Sequence, residues 1–203
     1  MIDLYNGDCL EVMKSIPSQS VDMVLTDPPY GTTACKWDSV IPFDLMWAEL
    51  KRIIKPNGAI VLFGSEPFSS ALRMSNIKQY KYDWVWHKRT SANVALAKYQ
   101  PLKTHEIISV FGKTYYPQMT KGKMRMKGGK VKAGEASGNL KPLYYASDEY
   151  YPVSLLDVKS ERGLHPTQKP VALLEYLIKT YTQEGETVLD FTMGSGSTMI
   201  ACL

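Results

Sequence analysis

The feature that most constrains this chain is a recurrence of short apolar runs, each followed by a helical or loop segment. The runs are Ile2–Tyr5, Val21–Thr26, Ala59–Phe63, Tyr82–Trp86, Ile107–Phe111 and Thr187–Phe191. Strands alternating with helices are the pattern of a parallel α/β sheet. Three helices are expected between the runs. Phe43–Ile54 is amphipathic and closed by Lys55-Pro56-Asn57-Gly58, and Pro67–Ser75 is shorter. Lys169–Thr182 gathers Val171, Leu173, Leu174, Leu177 and Ile178 on one side. A length of 203 residues suffices for one sizeable domain, and such a domain buries about 70% of the surface its unfolded chain exposes.

Composition removes several classes. The 44% hydrophobic and 22% charged fractions are those of a soluble globular protein, and no apolar run reaches the roughly 20 residues of a membrane span. Met1-Ile2-Asp3-Leu4-Tyr5 is acidic and then apolar, unlike a signal peptide, so a cytoplasmic protein is expected. Cys9, Cys35 and Cys202 are scattered, with no spacing for a zinc site or a disulfide framework, and no metal is expected. The net charge of +4 says little by itself. Its distribution says more: Lys113, Lys121, Lys123, Arg125, Lys127, Lys130 and Lys132 follow one another with no acidic residue between. Such a stretch serves either as a solvated loop or as a contact for phosphates. It lies within Gly112–Asp157, a segment rich in glycine, lysine and tyrosine that interrupts the α/β alternation and reads as an insert.

Two strands end on acids. Val21–Thr26 runs into Asp27-Pro28-Pro29-Tyr30, where two prolines form a stiff spacer between an acid and an aromatic. The carboxyl ends of parallel strands are where α/β proteins place their sites. An exocyclic amine on a nucleobase is a poor nucleophile, because its lone pair is delocalised into the ring. A fixed acceptor for its hydrogens beside a stacking aromatic face suits transfer of a group to it. The bland alternative is a turn, which Asp-Pro often starts. The second strand runs through Asp190 and Phe191 into Thr192-Met193-Gly194-Ser195-Gly196-Ser197-Thr198. Glycines there let a ligand approach the backbone, and a helix opening after them favours an anionic group. The loop lacks the third glycine of a dinucleotide fingerprint and the Gly-Lys-Ser/Thr of a phosphate-cradling loop. A third segment, His165-Pro166-Thr167-Gln168-Lys169-Pro170, leads into the last helix, with Thr167 placed to cap it and Lys169 to meet a carboxylate.

Taken together and in this order, these segments resemble the beta group of DNA amino-methyltransferases. Asn6-Gly7-Asp8-Cys9, Lys55-Pro56-Asn57-Gly58, Phe63-Gly64-Ser65 and His105-Glu106 are similar to that family as well. The resemblance implies a Rossmann-like, seven-stranded α/β sheet with circularly permuted motif order. Residues 1–111 would form the catalytic half, 112–157 a target-recognition insert, and 158–203 the cofactor-binding half. It implies S-adenosylmethionine as cofactor and double-stranded DNA as partner, with a homodimer expected from the habit of the group. Asp27 would bind the target amine, Pro28 and Pro29 would shape the pocket, and Tyr30 would stack on a flipped base. Asp190, Phe191, Gly194 and Gly196 would line the cofactor site, with Asp8 and Cys9 near its adenine. Thr167 and Lys169 would hold its methionyl end. The basic residues Lys121, Lys123, Arg125, Lys127, Lys130 and Lys132 would meet DNA phosphates, which positions a duplex without reading its sequence.

Asp rather than Ser before Pro-Pro-Tyr favours N6 of adenine over N4 of cytosine. C5 methylation of cytosine, which needs a thiolate nucleophile, does not fit Cys9 or Cys35. N4-cytosine methylation and a catalytically inactive DNA-binding remnant are the alternatives, and a phage or a restriction-modification system is the expected setting. The resemblance also implies a further strand, ending in an acid, after the helix that Met199–Leu203 begins. The expectation is therefore of a C-terminally truncated chain with weak cofactor affinity and an open sheet edge.

Overall fold

The computed structural model describes residues 1–33, 35, 38–127, 145–161 and 168–203. They fall into two compact units, Met1–Tyr116 with Ser154–Leu203, and Pro117–Val153. Thr167, Lys130, Lys132 and Tyr144 lie outside the described residues, and for Lys127 only the backbone is described.

The first unit is built on a six-stranded sheet ordered β7-β3-β4-β2-β1-β8. Its strands are β1 (Val21–Thr26), β2 (Ile54–Gly64), β3 (Tyr80–Ala92), β4 (Lys103–Gly112), β7 (Leu155–Asp157) and β8 (Val188–Leu189). β1 is parallel to both β2 and β8, whereas β4 is antiparallel to both β2 and β3. The sheet is thus mixed, not wholly parallel as the alternation predicts. β3 passes to β4 through a short connection with one 3-10 turn at Val94–Leu96 and no crossover helix, and a direct return pairs strands antiparallel.

Side chains alternate across the sheet and fill two cores. Met23, Leu25, Val61, Phe63, Trp84, Trp86 and Ile108 point to one face, where α4 (Val171–Tyr181) covers them with Leu173, Leu174 and Leu177. Each of those leucines contributes about 1.5–3 kcal/mol by leaving water. Val24, Ile60, Leu62 and Phe111 point to the other face, under α1 (Cys9–Ser15), α2 (Phe43–Ile53) and α3 (Phe68–Ser75). On α2 the buried stripe is Met46, Trp47, Leu50 and Ile53, the spacing of one helical face. The polar heads on the α4 side are satisfied within the core. The Tyr181 hydroxyl accepts from the Trp84 indole at 2.6 Å and lies 3.0 Å from the Tyr82 hydroxyl.

Three local expectations are corrected. Ile2–Tyr5 forms no strand: Ile2, Leu4 and Tyr5 are exposed, and no described strand pairs with the segment. Lys55–Gly58 does not close a helix. It belongs to β2, whose pairing with β1 jumps from Val21↔Ile54 to Met23↔Ala59, so the segment bulges out of the ladder. The Lys55 ammonium reaches both oxygens of Asp22 at 2.7 Å and anchors the bulge. The last strand is two residues long, because beyond Leu189 the chain turns to place Asp190.

The second unit holds β5 (Thr120–Lys127) paired antiparallel with β6 (Tyr145–Tyr150). This unit, Pro117–Val153, lies within the 112–157 stretch read as an insert. Tyr116 donates its N–H to the Thr180 carbonyl at 2.7 Å and β7 pairs with β3, so both flanks of the insert belong to the first unit.

Candidate active site

β1 and β8 are parallel neighbours, so the loops that follow them emerge side by side at the carboxyl edge of the sheet. Short hydroxyl side chains join them. Thr26 Oγ1 donates to one oxygen of Asp190, and Thr198 Oγ1 donates to the other at 2.6 Å. The Thr192 N–H also reaches Asp190, at 3.1 Å, while its hydroxyl donates to the Asp27 carbonyl at 3.0 Å. Burial pushes the Asp190 carboxyl above its ordinary pKa, and the nearby Asp27 charge adds to this against the hydrogen bonds from Thr198 and Thr26.

The Asp27 carboxylate is shared. One oxygen accepts from the Tyr30 hydroxyl and the other from the Lys169 ammonium. Lys169, only 8% exposed, also lies 3.4 Å from Glu106, which in turn accepts from Lys88 at 3.0 Å. Two acids and two lysines thus alternate through the site, the arrangement a buried charge needs. Burial alone would raise the Glu106 pKa, but Lys169 and Lys88 outweigh it and hold the carboxyl below its ordinary value. Burial works to lower Lys169, yet Asp27 and Glu106 keep it above the usual lysine value. The Tyr30 hydroxyl is pushed well up, first by burial and then by the Asp27 charge. Its ring packs on Phe68, with centroids 5.1 Å apart.

Two cavities meet here. The larger, about 440 Å³, is walled by the Asp27–Tyr30 segment, Phe63, Leu174, Asp190 and the Met193-Gly194-Ser195 turn. The smaller, about 310 Å³, is walled by Trp86, Lys88, Glu106, Ser160 and neighbours. Asp27, Tyr30, Gln168 and Lys169 line both. The larger has the size of a small-molecule pocket. Its lining, apolar walls with a buried ammonium and three carboxylates (Asp27, Asp38 and Asp190), fits a ligand carrying an aromatic base, a cationic centre and a carboxylate. Gly194 adopts φ +56° at the turn, where a side chain would be strained.

Of the residues singled out from the sequence, Asp27, Pro28, Pro29, Tyr30, Lys169, Asp190 and Gly194 line the larger cavity. Phe191 instead packs against the core beneath α1–α3, and Gly196 caps α5 (Ser197–Ala201) at φ +78°. Asp8 caps α1 by accepting from the N–H of Leu10 at 2.8 Å, and neither it nor Cys9 is among the cavity's lining residues. In the second unit Lys121 and Lys123 are exposed. Arg125 is engaged within that unit, over the Tyr150 ring at 3.5 Å and donating to the Glu149 carbonyl at 2.6 Å. Sequence reasoning missed Thr26, Thr198 and Asp38, and noted Glu106 only as part of a motif. Asp38 accepts from four main-chain N–H groups of the loop after Pro29. The only sequence signal for it is a run of loop amides, Tyr30–Thr33, that needs acceptors.

A mixed α/β sheet with acid-ended loops side by side at its carboxyl edge defines a Rossmann-like fold. A family model described as DNA methylase matches residues 21–203, and the chain belongs to that family. It is similar to the type II methyltransferase M.HpaI of Haemophilus parainfluenzae, at 26% identity over 98% of this chain. It spans 66% of that relative's length, just under two thirds. Among solved structures it is similar to an M1.HpyAVI–SAM complex, with a TM-score of 0.63, 26% identity, and coverage of 100% of this chain and 88% of that one. The PvuII DNA methyltransferase, cytosine-N4-specific, shares the fold, with a TM-score of 0.66 at 18% identity over 97% of this chain and 76% of that one.

Proposed function

We propose that the chain transfers a methyl group from S-adenosylmethionine to the exocyclic N6 of adenine in a base flipped out of double-stranded DNA. The observation that carries this is the position of Asp27, Tyr30 and Lys169 on the boundary of two cavities. One cavity, with Asp190 and Gly194, suits the cofactor, and the other suits the target base. Asp190, Gly194 and Lys169 would hold the cofactor, with Phe63 and Leu174 as its apolar walls. S-adenosylmethionine supplies an electrophilic methyl on a sulfonium and needs no metal.

The protein's part is to bind and orient. Asp27 keeps a free lone pair on each oxygen beyond those that Tyr30 and Lys169 occupy, and so accepts a hydrogen of the target amine. That contact holds the amine lone pair toward the methyl and stabilises the positive charge that develops on nitrogen. Pro28 and Pro29 fix the distance from Asp27 to Tyr30, and a carbonyl of the pair offers a second acceptor. Tyr30 stacks on the base, and Lys121, Lys123 and their basic neighbours meet phosphates.

Incubating the protein with methyl-labelled S-adenosylmethionine and unmethylated duplex DNA, then analysing the nucleosides, tests the proposal. Label in N6-methyladenine is the expected result. Label in N4-methylcytosine would move the activity to the base on which the PvuII enzyme acts. DNA binding without transfer would leave only a DNA-binding protein.

A further inference from the structure

We infer that Asp38 is the positioning residue of the Asp27–Tyr30 loop: its buried carboxylate gathers the amides of Tyr30 to Thr33 and so fixes the Tyr30 ring. One oxygen accepts from Tyr30 at 2.8 Å and Gly31 at 2.9 Å. The other accepts from Thr32 at 2.9 Å and Thr33 at 2.7 Å. Successive N–H groups converging on one point form the concavity by which loops bind anions. Here the anion belongs to the chain. Asp38 is only 8% exposed, and Thr32, Thr33 and Asp38 line the larger cavity beside Tyr30. Burial works to raise its pKa, yet hydrogen bonds from Thr33, Gly31 and Thr32 hold it below the ordinary value, so the carboxylate stays charged.

The consequence for chemistry runs through Tyr30. Its N–H is held by Asp38, its ring by Phe68, and its hydroxyl by Asp27. Without the first, the other two contacts hold only the side chain, and the ring shifts with the loop backbone that carries it. Asparagine at 38 keeps the volume but presents an NH2 group to two of the four amides, leaving those donors without an acceptor. Alanine removes all four bonds.

The test, which for its kinetic arm rests on the methyl-transfer proposal, compares the whole chain with D38N, D38A and D22N. Asp22 is a second buried carboxylate, bonded to Lys55 and to the Thr187 N–H away from the cavity, and D22N matches the loss of a buried acid. In D38N, kcat should fall about 10–100-fold, as for a reacting group displaced by about an ångström. The cofactor KM should stay within about threefold, which separates lost positioning from lost binding. D22N should lower the melting temperature and keep kcat. A D38N kcat close to that of the unmodified protein, or losses in D38N and D22N that both track melting temperature, would overturn the inference. The 15N-amide resonances of Tyr30–Thr33 report independently of turnover and should move together in D38N. If the unmodified protein transfers no methyl, the methyl-transfer proposal fails by itself. Those four resonances then decide whether Asp38 holds the loop, and their standing still in D38N would sink it.

Discussion

At the scale of single residues the site is a problem in charge compensation. Asp27, Lys169, Glu106 and Lys88 form an alternating chain, so deleting one member leaves its neighbour buried and under-compensated. Asp27→Ala should reduce methyl transfer by about 100-fold or more, with cofactor binding largely spared, as single-turnover kinetics and equilibrium binding would separately show. Persistent activity in that variant would refute the part assigned to Asp27. Glu106 makes a prediction about pH. Its folded pKa lies below the unfolded one, so the unfolded chain binds more protons in the window between them and stability rises with pH there. The stabilisation is complete above the unfolded value of about 4.3, and it is lost as pH falls through the folded value. Glu106→Gln should therefore be clearly less stable than the unmodified protein at pH 7, with a gap that narrows in acid. Denaturant titrations at both pH values would measure it.

Among elements, the contact that tolerates least is that of β2 with β4. Gly112 has φ +110°, and a Cβ there would stand 2.3 Å from the Gly58 carbonyl oxygen. Gly112→Ala should cost at least about 1–3 kcal/mol from the backbone alone, with the clash added, and a urea midpoint reads it directly. This scale also shows what the sequence discloses. The apolar runs that became β1, β2, β3 and β4, and the periodic segments that became α2, α3 and α4, are legible because each buries a continuous face. Ile2–Tyr5 has the same apolar character and forms nothing, since a strand needs a partner that its own residues do not encode. α1 is announced only by the Asp8 cap, and Lys55–Gly58 resembles a helix stop because a bulge and a turn draw on the same residues. The acid-ended loops can be read locally. The bonds from Thr26 and Thr198 to Asp190, and from Lys169 to Asp27, cannot: the partners of Thr26 and Lys169 lie more than 140 residues away in the chain and meet only through sheet order. Asp38 is near in sequence, but its acceptor function depends on a loop path that composition does not specify.

For the whole molecule, the two units divide the labour proposed here, with the cavities in the first and exposed basic side chains on β5 in the second. Replacing Lys121 and Lys123 by alanine should weaken DNA binding to a similar degree on any sequence. It should also flatten the salt dependence of the affinity by about one unit of slope per lysine, as titrations at several salt concentrations would show. Arg125→Ala should behave differently, since that guanidinium is bonded to Glu149 and stacked on Tyr150, and its loss should loosen the β5–β6 pair. The Asp38 carboxylate has a bearing on how fast such a molecule works. Because the amides of Tyr30–Thr33 already have their acceptor, the entropy of ordering that wall is lost once, during folding, and not at every encounter. Ligand arrival in a rapid-mixing experiment should accordingly follow a single concentration-proportional phase, with no slower step that levels off as ligand is raised.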